Sequence, residues 1–265
     1  MRVILTLVVL ICMGALVYGN YHWNGKLASA VDKGEAQFLN NGEKTKKLES
    51  DEKEITVEDF SDLPIDSAKF IMDKYNNEEA VELVVIGSEY KAAGEQPWSA
   101  IFKDEMEQTY KNLFNITIIE VSGGVTTEEV INNDLINQNL TIKPDIVILE
   151  PFLLDSNGIV GIDHSLDHIS TMIDDIKRIN SDVFIFLQPA QPLHKAIYYP
   201  EEVGKLKSMA EDRQLFYIDH WADNWPDYNS DEFLEYTIPD TIFPNQQGHQ
   251  IWADYIIRLF KNEEA

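Results

Sequence analysis

The sequence predicts a three-layer α/β domain of flavodoxin-like type with a five-stranded parallel sheet. Short apolar runs alternate with stretches of helical periodicity from Val81 to the C-terminus. This alternation is typical of parallel strands joined by right-handed helical crossovers. The runs are apolar at nearly every position, which indicates strands that helices cover on both faces. A chain of 265 residues, 44% of them hydrophobic, is long enough to bury one substantial core.

Each element has its own pattern. The five predicted strands are VELVVIG, ITIIEVSG, DIVILEP, DVFIFLQP and LFYIDH. A polar helix is predicted from Thr126 to about Asn137 after the second strand, and the last helix carries its apolar stripe from Ile251 to Phe260. Ligands of such sheets bind beyond the carboxyl ends of the strands, so the residues that follow each strand are the candidate site.

The N-terminal part of the chain is different. After the single cation Arg2, an uninterrupted apolar stretch extends from Val3 to Gly19. It predicts a signal peptide or membrane anchor that leaves the remainder outside a bacterial cytoplasmic membrane. The predicted organisation is therefore a membrane segment or signal at 1–19, a polar spacer at 20–54, a helical lead-in at 55–80 and the α/β domain at 81–265.

Charge and cysteine content exclude several functions. The chain has 21 Lys and Arg residues against 46 Asp and Glu residues, a net charge of −25. Such a surface repels nucleic acid, so no nucleic-acid partner is predicted. The single cysteine, Cys12, lies in the N-terminal apolar stretch. A disulfide, a thiolate nucleophile and a cysteine-ligated metal are therefore excluded from the rest of the chain.

No cofactor or metal is predicted either. His164 and His168 have the i,i+4 spacing of metal ligands, but the apolar stripe of their helix faces the core and leaves them on a solvated face. The carboxylates that follow the strands could converge on a hard cation, although nothing in their spacing is specific for a metal. These residues are Glu89, Glu150, Asp155 and Asp240.

Four segments together resemble the SGNH or GDSL hydrolases. They are VVIG, VSGGVTT, KPDIVILEPFLLD and PNQQGHQIWAD, and the resemblance extends from about Val81 to the C-terminus. It implies esterase, lipase or carbohydrate deacetylase chemistry by serine acyl transfer. In that family a Ser after the first strand attacks, a His activates it, and an Asp three residues before the His orients the ring. The Ser amide, a Gly after the second strand and an Asn after the third bind the oxyanion.

In strict register, this chain departs from the family at most of these positions. Glu89 occupies the nucleophile position, Leu154 the Asn position and Phe243 the base position, while Gly123 or Gly124 supplies the oxyanion glycine. A phenyl ring accepts no proton and a leucine donates no hydrogen bond. Loss of one oxyanion donor alone reduces the rate by about 10²–10³. The usual chemistry is therefore predicted not to operate in this register.

A shift of one residue would make Ser88 the nucleophile. The base would then be His220 or His249, with Asp219 or Asp240 as the orienting carboxylate. The alternative is that Ser88 only ends a strand, that His249 packs within the last helix, and that the Asp219–His220 pair is satisfied at a strand end.

The loop HWADNWPDYNSDEFLEY, after the fifth strand, is rich in aromatic residues and carboxylates. Trp221 and Trp225, together with Glu89, could bind a sugar through stacking and hydrogen bonds to hydroxyls. The alternative is that the aromatic residues hold this loop on the domain.

Two functions follow as hypotheses. The first is an extracytoplasmic acyl ester hydrolase or deacetylase that acts on an envelope glycan or lipid through a non-standard site at Ser88. The second is a catalytically inactive relative that binds an envelope glycan or protein partner in the former cleft.

Overall fold

A five-stranded parallel sheet forms the centre of the computed structural model, which describes residues 55–90, 94–222 and 225–262. The strand order is β2-β1-β3-β4-β5, and all pairs are parallel. The prediction of a five-stranded parallel sheet is thus confirmed. The predicted membrane segment and spacer, residues 1–54, lie outside the described residues. The strands are β1 (Val81–Ser88), β2 (Phe114–Val121), β3 (Ile146–Leu149), β4 (Phe184–Leu187) and β5 (Phe216–Tyr217).

The strand order fixes where a ligand site is expected. The chain passes from β1 to β2 on one side and then returns to β3 on the other side of β1. Strand order therefore reverses between β1 and β3, and crevices for ligands form beyond the carboxyl ends at such a point. Ser88 ends β1 at this crevice.

Helices surround the sheet, and their apolar faces pack on it. A 3-10 turn at Val57–Phe60 precedes the first α-helix, and a 3-10 helix at Asp231–Tyr236 lies before the last one. None of the helices in the described residues is both long enough and apolar enough to cross a membrane. The α-helices are α1 (Ile65–Asn76), α2 (Trp98–Tyr110), α3 (Thr127–Asn132), α4 (Leu135–Asn139), α5 (Leu153–Ser156), α6 (Ile162–Ile179), α7 (Tyr198–Asp212) and α8 (Gln246–Lys261).

Two elements differ from their predicted form. The polar helix expected from Thr126 to Asn137 is split into α3 and α4, because Asp134 adopts a left-handed conformation with φ of 51°. The fifth strand is only two residues long, although the apolar run LFYIDH suggested more. Ile218 continues it with one further hydrogen bond, from its amide to the Leu187 carbonyl at 2.8 Å.

The start of α8 explains the segment PNQQG. Asn245 caps the helix, because its Oδ1 accepts a hydrogen bond from the Gly248 amide at 3.0 Å. Its Nδ2 donates to the Glu235 carbonyl at 2.7 Å and so holds the preceding loop. A methyl group on Gly248 would lie 2.3 Å from the Tyr236 carbonyl oxygen, so only glycine fits there. These contacts give the segment a structural role.

Candidate functional site

Ser88 lies at the crevice between β1 and β3, in contact with two carboxyl groups. Its hydroxyl donates a hydrogen bond to Asp155 Oδ2 at 2.7 Å, and its amide donates to Glu150 Oε2 at 2.9 Å. Tyr90, two residues further along, donates from its own hydroxyl to Asp155 Oδ2 at 2.9 Å. Within the described part of the chain, the hydrogen-bond partner of the Ser88 hydroxyl is thus a carboxylate and not an imidazole.

Glu150 is a buried carboxyl group that links two segments of backbone. Its side chain accepts the amide of Ser88 and, through Oε1, the amide of Phe152 at 3.1 Å. The residue is 2% exposed, and burial raises its pKa to about 8. Glu150 is therefore mostly protonated at pH 7, and it acts as a neutral acceptor for these two amides.

Asp155 occupies the side of the crevice where the family resemblance would place an amide donor. A methyl group added to Gly124 would lie 3.7 Å from Asp155 Oδ1, so the carboxylate faces both this glycine and Ser88. The Leu154 side chain is buried among apolar neighbours instead. Asp155 therefore occupies the position that the family gives to the oxyanion Asn. The sequence-based prediction of Leu154 for this position differs from the structure by one residue. Burial raises the pKa of the Asp155 carboxyl above its usual range.

The two glycines after β2 form the turn on the opposite side of the crevice. Gly123 and Gly124 have φ values of 99° and 67°, a left-handed conformation that side-chain-bearing residues rarely adopt. Both are exposed. The structure thus brings Gly124 to the Ser88 site, as the oxyanion hypothesis requires, but sets a carboxylate beside it.

His220, one of the two predicted bases, is hydrogen-bonded to Trp225 and Pro189 and not to Ser88. Its Nδ1 accepts a hydrogen bond from Trp225 Nε1 at 3.1 Å, so its proton resides on Nε2, which donates to the Pro189 carbonyl at 3.0 Å. The ring stacks on Trp252 with centroids 4.7 Å apart. Complete burial lowers the pKa of His220 to about 4. His220 is therefore a neutral imidazole in the core, and both of its ring nitrogens are hydrogen-bonded to residues other than Ser88.

The remaining predicted catalytic residues lie in the segment around the start of α8. His249 is buried in the first turn of that helix, and its amide bonds to the Asn245 carbonyl at 2.9 Å. Asp240 is exposed at the tip of a turn, with φ of 59°. Phe243 is half-buried, packs against the core, and accepts the Ile238 amide through its carbonyl at 3.0 Å. Asp240 lines a groove with residues of the loop after β4, and none of Ser88, Glu150 and Asp155 belongs to that lining.

The predicted ligand-binding aromatics are held by hydrogen bonds to the domain. Trp225 is 8% exposed and bonds to His220, while Trp221 donates from Nε1 to the Ala190 carbonyl at 2.8 Å. Trp221 is half-buried between Tyr199 and Tyr228. These contacts favour the interpretation that the aromatic residues hold the loop on the domain. Glu89, half-buried, follows Ser88 and bonds through its amide to the Val121 carbonyl at 3.0 Å.

Sequence reasoning missed Tyr90 and the true contacts of Glu150 and Asp155. Tyr90 could have been noticed, because in extended chain a residue two positions after Ser88 points to the same side. The two carboxylates were considered only as ligands of a cation. Across residues 55–90, 94–222 and 225–262, no group of three or more His, Cys, Asp or Glu side chains could hold a metal ion.

Comparison with known proteins identifies the fold. No family model and no curated protein sequence matches this chain. Solved structures do match it. The lipase/acylhydrolase from Enterococcus faecalis has a TM-score of 0.54 and 16% identity, and the match covers 70% of this chain and 100% of that one.

Two further structures agree with this match. The lipase Lip_vut3 from a goat rumen metagenome has a TM-score of 0.51 and 14% identity over 68% of this chain and 97% of its own. A catalytic mutant of an acetylxylan esterase from Geobacillus stearothermophilus has a TM-score of 0.50 and 17% identity over 68% and 94%. With identities this low, the likeness concerns architecture. The matching structures also include lipolytic proteins of the GDSL family, so the resemblance noted in the sequence is confirmed at that level: the chain has the SGNH/GDSL-hydrolase fold.

Proposed function

We propose that this protein is a non-hydrolysing SGNH-fold protein of the bacterial cell envelope, which works by binding a partner. One observation carries this conclusion. Ester hydrolysis would use the Ser88 hydroxyl as nucleophile and the Ser88 amide as oxyanion donor. The amide donates to Glu150 at 2.9 Å and is therefore not free to bind an oxyanion, while the hydroxyl donates at 2.7 Å to the Asp155 carboxyl and not to an imidazole.

The electrostatics of the crevice point the same way. A tetrahedral intermediate places negative charge where donors must already be aimed, and loss of one donor reduces the rate by about 10²–10³. Here the Asp155 carboxylate faces Gly124, where a second donor would be needed. Like charges at close range in a partly buried site repel strongly. The crevice therefore destabilises the anion that hydrolysis would form.

A protein partner is favoured over a glycan. Sugar stacking needs an accessible aromatic face, and Trp225 is 8% exposed with its Nε1 donated to His220. Trp221 is half-buried against two tyrosines. An acylated substrate, which the names of the lipase and acetylxylan esterase structures suggest, would belong to a catalytic role.

That catalytic role is the second candidate, and the same Ser88–Asp155 bond favours it. Asp155 would take the hydroxyl proton as Ser88 Oγ bonds to the ester carbonyl carbon, and would return it to the departing alkoxide. Water would then hydrolyse the acyl-serine ester. Binding is preferred because this route would still lack the oxyanion donor, since the Ser88 amide donates to Glu150.

Hydrolysis of p-nitrophenyl acetate by the purified full-length chain separates the two candidates. We expect the parent protein and Ser88→Ala to release nitrophenol equally slowly. In contrast, the double variant Asp155→Asn, Phe243→His keeps Ser88 as the nucleophile and supplies an oxyanion donor and a base, and it should raise the rate by at least about 10².

The matched control is the single variant Asp155→Asn, which lacks the base and should stay near the parent rate. Turnover by the parent protein that Ser88→Ala abolishes would overturn the binding proposal in favour of the hydrolase.

A further inference from the structure

A groove of about 480 Å³ lies between the loop after β4 and the long loop before α8. Its size is within the range of ligand sites, and most of its lining side chains are apolar. Leu234 and Ile242 are 49% and 46% exposed at this groove. Exposed apolar side chains that cluster at a concave surface are typical of an interaction site. The floor and walls include Leu193, Ala196, Phe233 and Ile238.

The two walls are fixed to each other by hydrogen bonds. Gln191 Nε2 donates to the Ile242 carbonyl at 2.9 Å, and the Lys195 amide donates to the Tyr228 carbonyl at 2.9 Å. His194 stacks on Phe233 at the floor, with the rings 8° from parallel. A ligand would therefore meet a groove that is already formed, and little ordering would oppose its binding.

The rim of the groove is acidic. No lysine or arginine occurs between Gln214 and Ile257. Asp240 lines the groove, and Glu232 and Glu235 adjoin its lining residues Phe233 and Leu234 in the sequence. All three are exposed, and among the described residues their carboxylates make no hydrogen bond or ion pair. Asp231, in contrast, forms a salt bridge, because Lys195 Nζ donates to its Oδ1 at 2.8 Å. The rim therefore carries uncompensated negative charge and accommodates an ammonium group.

We propose that this groove binds a cationic, apolar peptide segment of a partner protein, with apolar side chains in the groove and Lys or Arg on the rim. Charge complementarity selects this occupant, since a fatty acid or an anionic lipid would set its own negative charge beside the rim. The inference rests on the proposed binding role and identifies the partner's chemistry.

The groove and Ser88 can be tested separately. None of Ser88, Glu150 and Asp155 is among the residues that line the groove. Substitutions at the groove leave the carboxyl contacts of Ser88 in place. An esterase assay and a peptide titration therefore report on different parts of the molecule.

Fluorescence polarisation with the full-length chain provides the test. The probe is a labelled peptide in which Lys-Leu-Leu is repeated three times, and the comparison peptides replace Lys by Glu or Leu by Ser. We expect only the Lys/Leu peptide to bind. Leu234→Asp, Ile242→Asp and the triple variant Glu232→Gln, Glu235→Gln, Asp240→Asn should each weaken its binding by at least about tenfold.

Matched substitutions on α1 and just before it are the controls. Ile65→Asp changes an equally exposed apolar residue, and Asp62→Asn, Asp66→Asn, Asp73→Asn removes the same charge. Both should bind within about twofold of the parent. Four results would each overturn the proposal. Two concern the peptides: no binding of the Lys/Leu peptide, or tight binding of the Glu/Leu peptide. The other two are equal weakening of binding by the control triple variant and competition by phosphatidylcholine vesicles. Activity towards p-nitrophenyl acetate would instead count against the proposed function alone.

Discussion

Glu150 illustrates how one buried side chain determines the chemistry of a site. It is held between β1 and the loop after β3, where it accepts the amides of Ser88 and Phe152. Two bonds from backbone amides favour its ionised form, but burial outweighs them and raises the pKa to about 8. The result is a neutral carboxyl that occupies the Ser88 amide.

The raised pKa of Glu150 predicts a specific pH dependence of stability. The contribution of Glu150 to the free energy of unfolding is complete below about pH 4.5 and is lost as the pH rises to about 8. The contribution of His220, whose pKa is lowered to about 4, is complete above about pH 6.5 and is lost on acidification. The two contributions oppose each other between pH 4.5 and 6.5. From pH 6.5 to 8 Glu150 acts alone, and the free energy of unfolding should fall by about 2 kcal/mol.

Urea unfolding at a series of pH values measures this effect. The variant Glu150→Gln cannot ionise, so its free energy of unfolding should change less than half as much as that of the parent above pH 6.5. The exposed Glu211→Gln should keep the parental slope. An unchanged slope in Glu150→Gln would mean that Glu150 is not the group responsible.

At the scale of elements, the start of α8 shows a sequence motif that serves packing. Asn245 caps the helix and bonds back to the Glu235 carbonyl, while Gly248 lets the helix approach the Tyr236 carbonyl. Trp252, one turn further, lies between Trp98 and His220, with ring centroids 5.0 and 4.7 Å away. The segment that most resembled a catalytic block therefore docks the last helix on the domain.

Two glycine substitutions in helices should have opposite effects. Gly248→Ala brings a methyl group 2.3 Å from a backbone oxygen, so we expect the free energy of unfolding to fall by about 3 kcal/mol or more. Gly204→Ala in α7 meets no atom within 4 Å and should leave the protein unchanged or up to about 1 kcal/mol more stable. Thermal unfolding compares them directly, and a tolerated Gly248→Ala would contradict the described packing.

At the scale of the whole molecule, the exposed large apolar side chains of the described residues form two groups. The larger group follows β3, β4 and β5 in the sequence and consists of Ile159, Ile197, Tyr198, Leu234 and Ile242. The smaller group lies in or before α1 and consists of Val57, Ile65 and Tyr75. In a chain with a net charge of −25, the larger group is consistent with a binding surface formed by segments that follow the strands.

The proposed location gives a prediction for the full chain. The apolar residues after Arg2 should export the domain, because a short cationic start followed by an apolar stretch orients the chain with its C-terminus outside. A C-terminal alkaline phosphatase fusion, expressed in bacteria, should therefore be active. Deletion of residues 1–19 should abolish that activity without abolishing synthesis of the fusion. High phosphatase activity after the deletion, or none before it, would contradict an extracytoplasmic location.

Much of the fold was predictable and much of the site was not. The five strands and most helix positions follow from apolar periodicity, which is local in sequence, whereas the order of the strands in the sheet does not. In contrast, the Ser88–Asp155 bond joins residues 67 positions apart, and a one-residue difference in the turn after β3 separates Leu154 from Asp155. His220 shows the same limit, because a histidine at a strand end has the same sequence pattern whether its nitrogens are available or bound to Pro189 and Trp225.

The sequence alone therefore determined the layered architecture and the family likeness, since both depend on residue type and periodicity. The tertiary structure decided that Ser88 is bound by two carboxyl groups, that His220 is a core residue, and that an acidic, apolar groove forms beside β4. These features depend on how side chains from separate loops meet at one edge of the sheet, and packing between distant segments sets that geometry.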